Sequence, residues 1–256
     1  MSATGPAVLA RLTVVEARLS WRDPAAVFFG LVFPGLLLVV LGLAMPWADE
    51  PFDAGDPDLA QVTAITAYTP IVLALAIATV AFSTFPAVLA GYREKGVLRR
   101  LSTTPLPPSR VLVAQLLVSG GTLVAASVLA VVLAVVLLDI SLPRSPVLVV
   151  ASFLLGAASA LAVGCLIAAR AGTAGAATGV GMLAFFTSLF FAGVWMPLPL
   201  MPPVIQTISA YTPVGAASGA LAAGWYGTGV PALELTVMAV WTAVCVPLAA
   251  RLFRWT

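Results

Sequence analysis

The chain has 256 residues, 61% of them hydrophobic and only 9% charged, with a net charge of +2. About a quarter of the residues in a soluble globular domain are charged, so this chain cannot cover itself for water and reads as an all-α polytopic membrane protein. It has no histidine, and Cys165 and Cys245 both lie inside apolar runs; that excludes histidine-dependent hydrolytic triads, imidazole-held metals and a disulfide framework.

The first element is predicted over residues 7–22, AVLARLTVVEARLSWR. Val8, Leu12, Val15 and Leu19 recur at helical spacing on one face, with Arg11, Arg18 and Arg22 on an adjacent face and Trp21 beyond. Such a helix suits the inner interface, its arginines reaching headgroup phosphates; a cytosolic helix packed on a partner protein is the other reading of the same pattern. Asp23-Pro24 then turns the chain into the first span, since proline suits a helix start.

Six apolar stretches are long enough to cross a core about 30 Å thick: residues 25–45, 59–90, 111–138, 147–169, 175–195 and 231–250. The first has too long an apolar run, and too many spans behind it, to read as a signal peptide. The second exceeds one perpendicular crossing and is expected to tilt or to continue into the cytoplasm. Arg11, Arg18, Arg22, Arg93, Lys95, Arg99, Arg100, Arg110, Arg170, Arg251 and Arg254 all fall on one side of these spans, and Arg144 alone falls on the other. Cytoplasmic loops collect Lys and Arg, which predicts that both termini and the 91–108 loop are cytoplasmic. Residues 196–227 are apolar but repeatedly broken by Pro and Gly. A seventh crossing there would put Arg251 and Arg254 outside, so a re-entrant helical hairpin on the outer side is expected.

The spans carry no Asp, Glu, Lys or Arg at their predicted midplanes, unlike ion-coupled transporters and charged channel filters. Lys95, the only lysine, lies between Glu94 and Gly96, so no phosphate-binding P-loop can be formed. Energy for any transport must therefore come from elsewhere, and a nucleotide-driven machine would need a separate ATPase subunit. Gly156, Ala160 and Gly164 repeat at every fourth position, as do Gly175 and Gly179, and such faces bring helices together within a protomer or between subunits. Phe82, Phe85, Phe185, Phe186, Phe190 and Phe191 are candidates for lining a path for an amphipathic or lipophilic molecule, although span aromatics also serve as packing.

Five of the twelve basic residues lie between Arg93 and Arg110. As a helix, residues 92–102 would place Val97, Leu98 and Leu101 on one face, with Glu94 at the first turn and Arg93, Lys95, Arg99 and Arg100 over the rest. Thr104-Pro105 and Pro107-Pro108 would end it. That face suits a groove on a cytosolic protein; a topogenic loop that meets only lipid headgroups suits the charge equally.

The stretch YREKGVLRRLSTTPLPPSRVLVAQLL closely resembles the signature of ABC-2 type exporter permeases, with Arg93, Glu94, Gly96, Leu98, Arg100, Leu101, Thr104, Pro105 and Leu106 at matching positions. Residues 190–221 also resemble the family's segment after its fifth span, with Gly193, Pro197, Pro202 and Pro213 in place; Val214-Gly215 stands where the family has an aromatic residue. The resemblance implies a single transmembrane domain over 1–256, with an interfacial helix, a coupling helix in the 91–108 loop and a re-entrant hairpin. It also implies a bacterial cytoplasmic-membrane exporter subunit without a nucleotide site of its own. A second permease copy or homologue and two cytosolic P-loop ATPase subunits, which carry the ATP and Mg, would complete the complex. The cargo class implied is a drug or antibiotic, with a lipid or lipid-linked glycan as the alternative; no nucleic acid is implied. A membrane scaffold that merely recruits a cytosolic protein is the rival reading from another class.

Overall fold

The computed structural model describes residues 5–53, 55, 59–97, 100, 108–227 and 229–252. These residues form helices and no strand; one isolated bridge pairs Pro51 with Thr63. Helix α1 (Pro6–Trp21) precedes six helices long and apolar enough to cross a membrane. They are α2 (Pro24–Ala44), α3 (Ala64–Glu94), α4 (Pro108–Leu138), α5 (Pro146–Arg170), α6 (Ala174–Ala192) and α9 (Ala232–Leu252). Two shorter helices, α7 (Pro203–Ala210) and α8 (Pro213–Trp225), separate α6 from α9. A helix long and apolar enough to cross a membrane stands at each of the six predicted positions, with ends moved by a few residues. The second begins and finishes later than expected, and the fifth stops at Ala192, where Gly193 takes a left-handed φ of 87° and closes the helix.

Helix α3 is the axis of the molecule. Its apolar residues are buried on nearly all sides, from Ile65 through Ile77 to Leu89, whereas the other spans each expose an apolar face. Both α2 and α3 widen into a single π turn, at Phe28–Val32 and Thr79–Thr84. Each turn lies just ahead of a proline, Pro34 or Pro86. Proline has no N–H, and its ring pushes on the carbonyl four residues back, here Gly30 or Phe82. Widening the turn relieves that conflict. Pro70, also in α3, lies in a regular α-helical stretch without a π turn.

Close packing around α3 uses glycines. Gly164 of α5 lies against the Ala81 carbonyl and Gly181 of α6 against the Phe82 carbonyl, so close that neither position has room for a Cβ. The π turn thus offers two successive carbonyls to Cα–H groups of two different helices. Gly156 packs likewise on Ala217 of α8, where a Cβ would come within 2.7 Å of the alanine methyl. Gly175 and Gly179, although similarly spaced, have nothing within 4 Å of a Cβ position, so they hold no helix against another within this chain.

Helix α8 is buried, with Val214, Ala216, Ala217, Ala220 and Leu221 at 0% exposure. Polar groups of α7 and α8 are matched to helix ends. Ser209 donates to the Phe191 carbonyl at 2.5 Å and Ser218 to that of Ala192 at 2.7 Å, satisfying acceptors left over at the end of α6. At the other end of α8, Trp225 Nε1 donates to the Ser141 carbonyl, and Arg144 donates to the Tyr226 carbonyl. The turn between α7 and α8 lies beside the middle of α9, because Trp241 Nε1 donates to the Tyr211 carbonyl at 3.0 Å.

Candidate functional site

Three consecutive residues at the end of α3, Tyr92, Arg93 and Glu94, each reach a different part of the protein. The Tyr92 hydroxyl donates to Glu16 Oε2 on α1 at 2.5 Å. Arg93 Nη1 donates to the carbonyls of Ala168 and Ala171 at 3.0 and 2.6 Å, at the C-terminal end of α5. Glu94 Oε2 accepts the Ala174 N–H at 2.8 Å, at the first residue of α6.

Each contact follows from helix-end chemistry. The last turn of α5 leaves carbonyls without intrahelical donors and carries partial negative charge, which a guanidinium complements. The first turn of α6 has the opposite requirement. Thr173 caps it by accepting the Ala176 N–H at 3.1 Å, and the Glu94 carboxylate takes a second free N–H and faces the positive end of the dipole. Arg93 and Glu94 therefore hold the short α5–α6 elbow, residues 170–174, from both sides.

The predicted helix over residues 92–102 is not continuous. Helix α3 runs through Glu94, and the chain turns at Lys95-Gly96, where Gly96 takes φ 68°. A left-handed residue at a helix end favours glycine because it has no Cβ to clash. After the turn, the Arg100 N–H is bonded to the Gly96 carbonyl. Glu94 was expected at the N-terminus of the island helix; it faces the N-terminus of α6 instead, 80 residues further along the chain. Lys95 is exposed next to this turn. Leu98, Arg99, Leu101, Thr104 and Pro105 lie outside the described residues.

On α1, Arg11, Arg18 and Arg22 are exposed, as is Trp21. The inward residue of this helix is Glu16, only 7% exposed, while Val15 and Leu19 from the expected apolar face are about half exposed. Burial raises the carboxyl of Glu16 above its ordinary range, and the Tyr92 hydroxyl partly offsets that. Sequence reasoning gave Glu16 no role. The available signal was an acid one helical turn from Leu12 and Leu19 in an otherwise basic segment. Of the six phenylalanines, Phe82 and Phe85 are buried beneath α5 and α6, Phe185 and Phe191 are partly buried, and Phe186 and Phe190 are exposed.

The family model for ABC-2 type transporters matches residues 8–225, from the start of α1 to the end of α8. The chain belongs to the ABC-2 type transporter family. No curated protein matches it. As an ABC-2 type protein with six apolar crossing helices, it is a multi-pass membrane component of a transport system, of a family that typically works with an ATPase subunit. The Tyr92–Glu94 cluster lies inside the matched region, and so do both π turns and the α7–α8 pair.

Proposed function

We propose that this ABC-2 type protein is the permease of an ATP-driven exporter in a bacterial cytoplasmic membrane. Two copies, or one copy and a homologue, work with two separate ATPase subunits and expel an amphipathic or lipophilic compound, a drug or antibiotic foremost. The observation that carries this reading is the three-way attachment at Tyr92, Arg93 and Glu94. Segment 95–107, gripped by an ATPase, pulls directly on the end of α3, and α3 is joined there to α1 and to the α5–α6 elbow. A push at this one place therefore moves four helices together, as rigid-body transmission requires. Supporting the orientation is the concentration of basic residues at this end, which the positive-inside rule assigns to the cytoplasm.

Two further parts fit the same reading. Helix α1 lies in the inner interface, with its arginines exposed to headgroups and Glu16 turned inward. Helices α7 and α8 form the re-entrant hairpin. Trp241 is nine residues into α9, about 14 Å along its axis, so the Tyr211 turn it bonds reaches roughly half of a 30 Å core before the chain returns. The experiment is reconstitution in liposomes. Permease with its ATPase is expected to accumulate an amphipathic dye on ATP addition, and permease alone to accumulate none; ATP-driven accumulation by the permease alone would refute the reading.

A further inference from the structure

At the Glu94 end of α3, a cavity of about 550 Å³ opens between α1, α2, α3, α4 and the start of α6. Its titratable lining groups are Glu16, Asp23, Tyr92, Glu94 and Lys95, three carboxyls against one amine. Gln115 and Ser119 of α4 face it as well, each 5% exposed. Gln115 Oε1 is buried without a hydrogen-bond partner among the described residues, a costly state for an amide oxygen. Asp23 Oδ1 and Glu94 Oε2 accept from backbone N–H groups of helix starts and Glu16 Oε2 accepts from Tyr92, so each of the three carboxyls engages through one oxygen. The cavity thus offers hydrogen-bonding capacity and net negative charge that the protein itself leaves unused.

The cavity is not closed on the membrane side. Ser20, Ala26, Val118 and Thr122 line both it and an adjoining cleft of about 290 Å³, whose lining is mostly apolar. Gly121 and Ala125 pass that cleft on to a shallow apolar groove along α4 that extends to Val132. From Gly120 to Val132 the groove is about 18 Å long at 1.5 Å per residue, enough for a twelve-carbon chain. At Gly120 and Gly121 the groove is open space, since a Cβ at either would meet nothing within 4 Å.

We infer that this continuous polar-to-apolar cleft binds a cationic amphiphile, its amine among Glu16, Gln115 and Ser119 and its aliphatic tail in the α4 groove beside Gly121. The inference supplies a ligand class for the permease reading and rests on that reading only for what becomes of the ligand. The same chemistry belongs to an exported amine-bearing compound and to an ethanolamine lipid of the adjacent leaflet.

The test is photolabelling of the full chain in phosphatidylcholine nanodiscs, whose surface has no net charge, with dodecylamine carrying a diazirine at the tail end. Saturable labelling is expected on α4 between Gly120 and Val132, competed by unlabelled dodecylamine and much weaker with the matching dodecanoate probe. Glu16→Gln and Gln115→Leu are each expected to reduce labelling at least about fivefold. Gly121→Leu, which enters open space on a helix face, is expected to abolish it without changing gel-filtration behaviour. Equal labelling by dodecanoate, or unchanged labelling in Gln115→Leu and Gly121→Leu, would overturn the inference. Loss of labelling on adding phosphatidylethanolamine identifies the lipid as an occupant of the cleft, and persistence excludes it as the source. No ATPase is present, so failure of ATP-driven export leaves this result standing, and the converse also holds.

Discussion

Gly181 and Gly179 are two residues apart on α6, yet a methyl group means different things at each. At 181 it would run into the Phe82 carbonyl, which is backbone and cannot swing away; at 179 it would meet nothing. Gly181→Ala is therefore expected to destabilise the protein by about 1–3 kcal/mol, and Gly179→Ala to leave stability unchanged or slightly higher. Thermal unfolding of the two purified variants in detergent checks this, and equal melting temperatures would contradict the close contact. Glu16 makes a second prediction at this scale. Its carboxyl binds its proton more tightly in the folded than in the unfolded protein, because burial penalises the charge. Its contribution to stability is then fully present below the ordinary carboxyl range and is lost as pH rises from there through the raised folded value. Glu16→Gln should flatten that part of the stability–pH curve; an unchanged slope in the variant would show that Glu16 does not carry it.

At the scale of the element, the capping of α6 can be measured directly. Glu94→Ala removes the acceptor for the Ala174 N–H and the charge on the dipole, together worth about 1 kcal/mol. Hydrogen exchange at the Ala174 and Ala176 amides should accelerate roughly fivefold to tenfold, with exchange in the middle of α5 unchanged. Unaltered exchange would mean that Glu94 does not hold the elbow. The spans themselves were legible in the sequence, because hydropathy over some twenty residues is a local property. The elbow was not, because Glu94 meets a backbone N–H 80 residues away and the letters around it show no sign of that partner. Spacing also passed over the close helix contact at Gly181 on α6. Gly175 and Gly179 share a face, but what selects Gly181 is a carbonyl pushed out by the turn ahead of Pro86 on another helix. Glu16 was missed for a related reason. A search for apolar periodicity in α1 passes over Glu16, whose burial depends on a tyrosine hydroxyl from α3.

At the scale of the whole molecule, orientation and energy supply decide whether these parts make an exporter. Lys95 is the only lysine, and it is exposed at the turn after α3. A membrane-impermeant amine reagent should leave it unlabelled in intact cells and label it once the membrane is opened; labelling from outside would reverse the topology. The central claim is that work done on the 95–107 segment enters the membrane body through Arg93 and Glu94. The most direct measurement is the number of dye molecules exported per ATP hydrolysed, by the permease–ATPase complex in liposomes, for the wild type and for Arg93→Ala and Glu94→Ala. The account predicts that both variants still assemble and hydrolyse ATP while the ratio falls at least about tenfold. A ratio equal to that of the wild type would contradict it.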